Sequence, residues 1–217
     1  MLIGDMQEWV DSFVSFDDRF LERIAAAWPA CLAVLPEQPE EDDITINLVD
    51  HLTKDVVVRR LCHWVEYQFE PFGLATDGSK YSKGIIDIAV LFDWERERYL
   101  AYECKRLNVI NGGSRSSLAT LYVTQGMMRF LTEQYAEQLP VGCMLGYVLD
   151  GDVPFAKARL ASVIRSHPPL AVIDGPTPLA SIDTVERFQT RHTRPAGLEI
   201  ELRHALFSYP SMTATIG

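Results

Sequence analysis

The chain has 217 residues, 47% of them hydrophobic, and 30 acidic against 20 basic side chains give a formal net charge of -10 at pH 7. This composition excludes a disordered acidic tail or a fibrous chain, because nearly half of the residues can be buried. The acidic balance argues against a protein that coats nucleic acid through bulk charge, but it does not say where the charge lies, and a metal-dependent site must itself be acidic.

The N-terminus and the cysteines indicate a cytoplasmic protein without membrane contact. The segment MLIGDMQEWVDSF carries acids where a signal peptide would carry basic and apolar residues, and no apolar run approaches the roughly 20 residues of a membrane span. The cysteines are too far apart in sequence for a zinc knuckle or a redox pair: Cys31, Cys62, Cys104 and Cys143. A reducing cytoplasm is therefore the expected location.

Apolar residues at helical spacing predict two helical regions in the first third of the chain. The first covers residues 5–34, and the Pro-rich acidic segment PEQPEEDD after it predicts a connector that leads into the next helix. We place the boundary here, between an N-terminal helical extension with an acidic linker (1–40) and a larger domain (41–217). Residues 44–69 are predicted to be helical again, as two helices or one bent helix.

The remainder alternates between strands and helices. IIDIAVLF and YLAYECKRL are predicted to be buried strands joined by a charged turn as a hairpin, and the residues between 73 and 84 a loop. A helix over 116–138, a strand in VGCMLGYVLD, a helix in PFAKARLASVIRSH, an edge strand in LAVID and a closing strand in GLEIELRHALFSY follow. The predicted class is α/β, with a mixed central sheet flanked by helices.

The hairpin brings three charged residues together. In a strand Glu103 and Lys105 share one face, and folding the hairpin about Glu95 places Asp87 opposite Glu103. Opposed residues in an antiparallel pair have Cβ atoms about 5 Å apart, so two carboxylates there repel unless a cation separates them. Hard oxygen ligands favour Mg²⁺ or Mn²⁺, and Lys105 would orient a nucleophilic water or offset charge on a phosphate. The alternative is a structural ion pair on an exposed hairpin.

These residues resemble the motif of the PD-(D/E)XK nuclease superfamily, whose fold is the restriction-endonuclease-like αβββαβ core. The resemblance covers about residues 54–149; Asp87, Glu103 and Lys105 match the motif, and Ile86 stands where the motif has proline. The resemblance implies an Mg-dependent endonuclease that hydrolyses phosphodiester bonds, with DNA as the favoured substrate. It also implies a role in restriction, phage defence or DNA repair. RNA stays open as a substrate, as do a partner subunit and a homodimer.

The resemblance also implies further site residues. Family members often add an acid from the preceding helix, and Glu66 is favoured over Glu70 as this third metal ligand, an ordinary surface glutamate being the alternative. Gln125 would line the active site and Arg129, four residues later, would hold the scissile phosphate, unless both belong to a solvated helix face. Lys80, Lys83, Arg106 and Arg115 would form a basic rim.

A second function class stays open at this point. A protein with the same fold can lack catalytic activity and serve as an acidic interaction protein or subunit that binds a basic partner.

Overall fold

Helices come first along the chain. The computed structural model describes residues 6–134 and 139–209, in which helix α1 spans Met6–Leu32, helix α2 spans Glu41–Lys54 and the single turn α3 spans Val58–Leu61. The first predicted helix is confirmed over its described part. Helix α2 begins where the predicted connector ends: the Glu40 amide donates to the Asp43 carboxylate at 3.0 Å, and acids fill the first turn, where the helix dipole favours them.

Strands and short helices make up the rest of the described ranges. The strands are β1 (Trp64–Phe69), β2 (Phe72–Leu74), β3 (Lys80–Ser82), β4 (Ile86–Leu91), β5 (Tyr99–Leu107), β6 (Val109–Asn111), β7 (Ser114–Ser116), β8 (Val141–Val148), β9 (Val172–Pro178), β10 (Glu186–Thr193) and β11 (Glu199–Ser208). Helix α4 (Ala119–Leu121), a π-helical segment (Tyr122–Met127) and α5 (Met128–Leu131) run on from one another as a composite helix, residues 119–131, and α6 spans Val153–Ser166.

Across the described ranges, seven strands form one mixed sheet in the order β1-β4-β5-β8-β11-β10-β9. Strand β8 runs parallel to its neighbours β5 and β11, and the other pairs are antiparallel. The predicted α/β class with a mixed sheet, flanking helices and an N-terminal helix is therefore confirmed. The elements from α2 to β8 follow the order helix, three antiparallel strands of the main sheet, helix and parallel strand.

Helix α1 packs into the core of the sheet. Phe20 packs against Tyr102 of β5 with tilted rings whose centroids are 5.3 Å apart, and Trp28 stacks on Tyr147 of β8 at 5.7 Å. Phe13 and Phe16 are also buried, whereas the side chain of Trp9 lies outside the described residues. The boundary predicted at 40/41 thus falls between two helices that share one hydrophobic core.

Some predicted elements are wrong. Residues 64–69, predicted to be helical, form the edge strand β1, and the loop predicted from 73 to 84 contains the β2–β3 hairpin. The helix predicted over 116–138 is described only as the composite helix 119–131, and residues 135–138 lie outside the described ranges. Strand β10 had no predicted counterpart. The strands β4, β5, β8, β9 and β11 and helix α6 are confirmed.

The four cysteines are free thiols. None of the helices in the described ranges combines the length and apolarity that a membrane crossing needs.

Candidate functional site

The site forms where β4 and β5 diverge. The predicted hairpin register is confirmed: Ile88 pairs with Tyr102 and Leu91 with Tyr99, in the same register that places Asp87 opposite Glu103. Beyond the Ile88–Tyr102 pair, a side chain replaces the backbone as hydrogen-bond acceptor. The Cys104 amide donates to Asp87 Oδ2 at 2.7 Å. This contact fixes Asp87 beside the Glu103–Lys105 segment.

The ammonium group of Lys105 is the centre of the site. Its Nζ lies 2.8 Å from Glu103 Oε1, 2.8 Å from Glu41 Oε1 and 3.6 Å from Asp87 Oδ2. It also donates to the Cys104 carbonyl at 2.6 Å. The structure therefore brings together Asp87, Glu103 and Lys105, the three residues of the predicted motif.

Glu41 is a site residue that sequence reasoning missed. It is the first residue of α2, and its second oxygen, Oε2, accepts the backbone amide of Arg106 at 2.9 Å while Oε1 meets Lys105. The signal was present in the acidic run before Ile44, which was interpreted as a solvated connector and helix lead. Sequence spacing alone does not show that the start of α2 reaches the end of β5, 64 positions away.

Glu103 and Arg129 form the inner wall of the site. Glu103 is fully buried, and its Oε1 accepts from Arg129 Nη1 at 2.7 Å as well as from Lys105. Arg129 lies on α5, and the neighbouring π-helical segment brings Gly126 against the motif. A Cβ built on Gly126 would lie 3.5 Å from Lys105 Cγ and 3.6 Å from Glu103 Cγ. Arg129 thus holds the carboxylate that was expected to bind metal, a contact the sequence did not predict.

The pKa values of Asp87 and Lys105 are both raised, but for different reasons. Burial raises the pKa of Asp87, and Glu41 adds to the rise, against the opposing effects of Lys105 and the Cys104 amide. Burial disfavours the charged form of Lys105, but Glu103, Asp87 and Glu41 outweigh it and raise the Lys105 pKa. Lys105 therefore remains an ammonium group at neutral pH.

Glu66 and Gln125 lie on elements other than the two strands that carry the motif residues. Glu66 lies in strand β1 and not on a helix, so the reason for choosing it as a metal ligand was wrong. Its carboxylate pairs with Arg96 at 2.5 Å and accepts from the Trp64 indole at 3.2 Å. Gln125 is exposed on the π-helical segment, whose buried neighbour Gly126 faces the motif instead.

Two of the four residues of the predicted basic rim are paired with local acids. Arg106 pairs with Glu40, and Arg115 pairs with Asp150 at 2.7 Å and Asp152 at 3.1 Å. Lys80 is exposed on the β2–β3 hairpin. These arginines consequently offer a phosphate less charge than the sequence suggests.

The donor set fits a hard divalent cation by type, since carboxylate and carbonyl oxygens suit Mg²⁺ or Mn²⁺. Oxygens of Glu41, Asp87, Glu103 and Cys104 all lie within 3.6 Å of the Lys105 nitrogen. Their arrangement is that of ion pairs, and within the described ranges no three His, Cys, Asp or Glu side chains are grouped as a ready metal site.

Comparison with protein-family models, with curated proteins and with solved structures gave no match to this chain.

Proposed function

We propose that this chain is a metal-dependent nuclease of the PD-(D/E)XK type that hydrolyses phosphodiester bonds in DNA. The observation that carries the proposal is the convergence of Asp87, Glu103 and Glu41 on Lys105 at the divergence of two central strands. The succession of α2, β1, β4, β5, the composite helix and β8 supports it, because this is the αβββαβ order that the motif implies.

The roles of the residues follow from their contacts. Asp87, Glu103 and the Cys104 carbonyl, with Glu41 in place of the predicted Glu66, would hold Mg²⁺ or Mn²⁺. When bound, such an ion acts as a Lewis acid and lowers the pKa of water. Lys105, held against these carboxylates, would orient the nucleophile and offset negative charge on the phosphate. Arg129 keeps Glu103 in position.

A cleavage assay with a matched control tests this proposal. Purified wild type, Lys105→Ala and Lys54→Ala are incubated with plasmid, linear DNA and RNA in Mg²⁺, Mn²⁺ or EDTA. Lys54 is an exposed lysine paired with Asp50 on α2, so its loss removes the same charge from the surface. We expect metal-dependent DNA cleavage by wild type and Lys54→Ala, and a loss on the order of 100-fold or more in Lys105→Ala. Cleavage that survives EDTA, or Lys105→Ala as active as wild type, would contradict the proposal.

One observation favours the second function class, a silent interaction protein on the same fold. Glu103 already has two cationic partners, and Lys105 is enclosed by three carboxylates, so the cluster is also complete as a structural ion-pair network. Calorimetric titration with Mn²⁺ separates the two classes. Binding that is lost in Asp87→Ala supports the nuclease, whereas no binding together with no cleavage supports the interaction protein, whose assembly state mass measurement in solution would then define.

A further inference from the structure

The β2–β3 hairpin projects beside the candidate site with apolar side chains uncovered. It is inserted between Phe69 and Ile86, which are paired in the sheet, so its base lies next to Asp87. Phe72 is 63% exposed, Leu74 71% and Tyr81 51%. Large apolar side chains that cluster on the surface mark interaction sites more often than chance, and here they flank the candidate site.

The hairpin is closed by its own backbone and turn contacts. Its strands pair Phe72 with Ser82 and Leu74 with Lys80. At its tip Asp77 accepts the Ser79 amide at 2.9 Å, and Gly78 takes a positive φ of 84° that suits glycine. The rings are therefore presented in a formed hairpin, and a preformed binding surface lowers the entropic cost of binding.

Tyr81 is held in place on one side and open on the other. Its ring lies against Gly73, since a Cβ built on Gly73 would fall 2.3 Å from Tyr81 Cζ. Because side chains alternate along a strand, Phe72 and Leu74 project from the opposite face of the hairpin, on the same face as Lys80. The hairpin therefore offers an aromatic ring on each face.

Charge and ring faces together narrow the choice of ligand. Lys80 and Lys83 line the cleft beside Phe72 together with Glu70, Glu95 and Glu97, so positive and negative side chains are mixed there. Lysines of this kind can contact the phosphates of a duplex or of a single strand, so charge alone does not distinguish the two. Ring faces such as those of Phe72 and Tyr81 stack on bases that are unpaired, and this contact favours a single strand.

We infer that the β2–β3 hairpin stacks unpaired bases of a DNA strand beside the candidate site, so that the substrate is single-stranded DNA or DNA with an unpaired segment. This inference rests on the proposed nuclease function and specifies its substrate class.

Binding without catalysis tests the inference. Fluorescence anisotropy in EDTA compares a labelled single strand with the blunt duplex of the same sequence, for wild type, Phe72→Ala, Tyr81→Ala and Gly73→Ala. Ile173→Ala is the control, because Ile173 is an apolar residue 43% exposed on β9, at the other edge of the sheet from β1. We expect tighter binding of the single strand, and weakening by about five-fold or more in Phe72→Ala and Tyr81→Ala, with Ile173→Ala unchanged. Gly73→Ala retains Tyr81 but moves its ring out of position, so this variant should also bind more weakly.

The outcomes separate this inference from the proposed function. If wild type cleaves DNA through Lys105 but the hairpin variants bind as wild type does, the inference fails and the nuclease stands. If the variants lose single-strand binding but no protein cleaves, the nuclease fails and the stacking role stands. Equal affinity for duplex and single strand overturns the inference. The inference is also overturned if the protein binds no DNA and instead self-associates in a way that Phe72→Ala abolishes. That result would make the hairpin a contact between copies of the chain. Circular dichroism checks that each variant is folded.

Discussion

Asp87 and Glu103 differ in environment although both carboxylates face Lys105. Glu103 is fully buried but has two close cationic partners, Lys105 and Arg129. Asp87 lies 3.6 Å from Lys105 and its pKa is raised, chiefly by burial, so its charged form is the less well compensated. Three carboxylates, with Glu41, share two cations, and the cluster carries one uncompensated negative charge.

The two carboxylates should therefore respond oppositely to neutralisation. Asp87→Asn removes the uncompensated charge and can still accept the Cys104 amide, so we expect stabilisation of roughly 0.5–2 kcal/mol at pH 7. Glu103→Gln leaves buried cations short of a partner and should destabilise by about 3 kcal/mol. Urea denaturation of the purified variants measures both values.

The pH dependence fixes the sign of the Asp87 effect. Folding raises the pKa of the Asp87 carboxyl above its ordinary 3.8, so the ionised carboxylate lowers the stability of the folded protein. The protein regains this stability as the pH falls through the raised pKa and the carboxylate is protonated. The advantage of Asp87→Asn over wild type should accordingly be larger at pH 7 than at pH 4. An advantage that grows as pH falls would contradict this account.

The motif residues were predictable from sequence because they depend on local geometry. A hairpin register and the alternation of side chains suffice to bring Asp87, Glu103 and Lys105 together. Glu41 and Arg129 come from helices whose approach to β5 is set by tertiary packing. Sequence spacing therefore indicated no more for Glu41 than an acidic helix start.

At the scale of elements, the π-helical segment shapes the inner wall of the site. A π turn inserts an extra residue into a helix and is frequent at functional sites. Here it presents Gly126 to the motif, with a built Cβ 2.6 Å from Met144 Cε, at the movable end of that side chain. Small additions can be accommodated there by Met144, and larger ones reach Lys105 and Glu103.

Two substitutions at Gly126 should thus separate stability from activity. Gly126→Ala should change the free energy of unfolding by no more than about 1 kcal/mol, because the Met144 methyl can shift and alanine favours helix. Gly126→Leu should lower cleavage on the order of 100-fold by displacing Lys105. Cleavage assays and thermal melting check this pair. Full activity in Gly126→Leu would show that the segment does not position the motif.

The error at β1 has a geometric origin. Leu61, Val65 and Phe69 are four residues apart, a spacing that places residues on one face of a helix and equally on one face of a strand. Gln68, with a positive φ of 54°, breaks the regular strand geometry before Phe69. Strand β10 was missed because its buried residues include the polar Arg187 and His192, which hydrogen-bond to Asp18 of α1 and to the Leu170 carbonyl.

At the scale of the whole molecule, a buried hydrogen-bond chain joins the composite helix to β10 and β11. Because the Leu170 carbonyl can only accept, His192 Nδ1 must donate to it, at 2.8 Å. With both imidazoles neutral, Thr190 then donates to His192 Nε2 at 2.7 Å, His204 Nε2 donates to Thr190 at 3.0 Å, and Tyr122 donates to His204 Nδ1 at 3.0 Å. Every donor in this chain has one acceptor.

Acid should weaken the fold through these histidines. Burial lowers the pKa of His192 and, far more, of His204 from the ordinary 6.5, so the unfolded chain gains protons below that pH that the folded chain does not. Stability should be full above pH 6.5 and fall below it, by up to about 1.4 kcal/mol per pH unit for each histidine. Urea denaturation at pH 7, 6 and 5 should give a shallower decline for His204→Gln, and an unchanged decline would exclude His204 as its source.

Asp17 of α1 ties the N-terminal helix to the far strands of the sheet. Its carboxylate accepts from Tyr102 of β5 at 2.9 Å and Arg203 of β11 at 2.6 Å, and Arg187 of β10 lies 3.6 Å away. Because this buried carboxylate compensates two buried arginines on β10 and β11, its loss would destabilise the contact of α1 with the sheet. Helix α1 and the sheet should therefore unfold together, although the sequence patterns placed a domain boundary between residues 40 and 41.

Asp17→Asn should destabilise the whole protein by about 3–5 kcal/mol, since it leaves Arg203 and Arg187 buried without full compensation. Asp18→Asn is the matched control: Asp18 contacts the same two arginines, but its side chain is 47% exposed, so water can replace it and the loss should be about 1 kcal/mol. Denaturation followed by tryptophan fluorescence and by circular dichroism should give one coincident transition in each protein. Two separate transitions would instead mean that α1 unfolds independently and that residues 41–217 hold together without it.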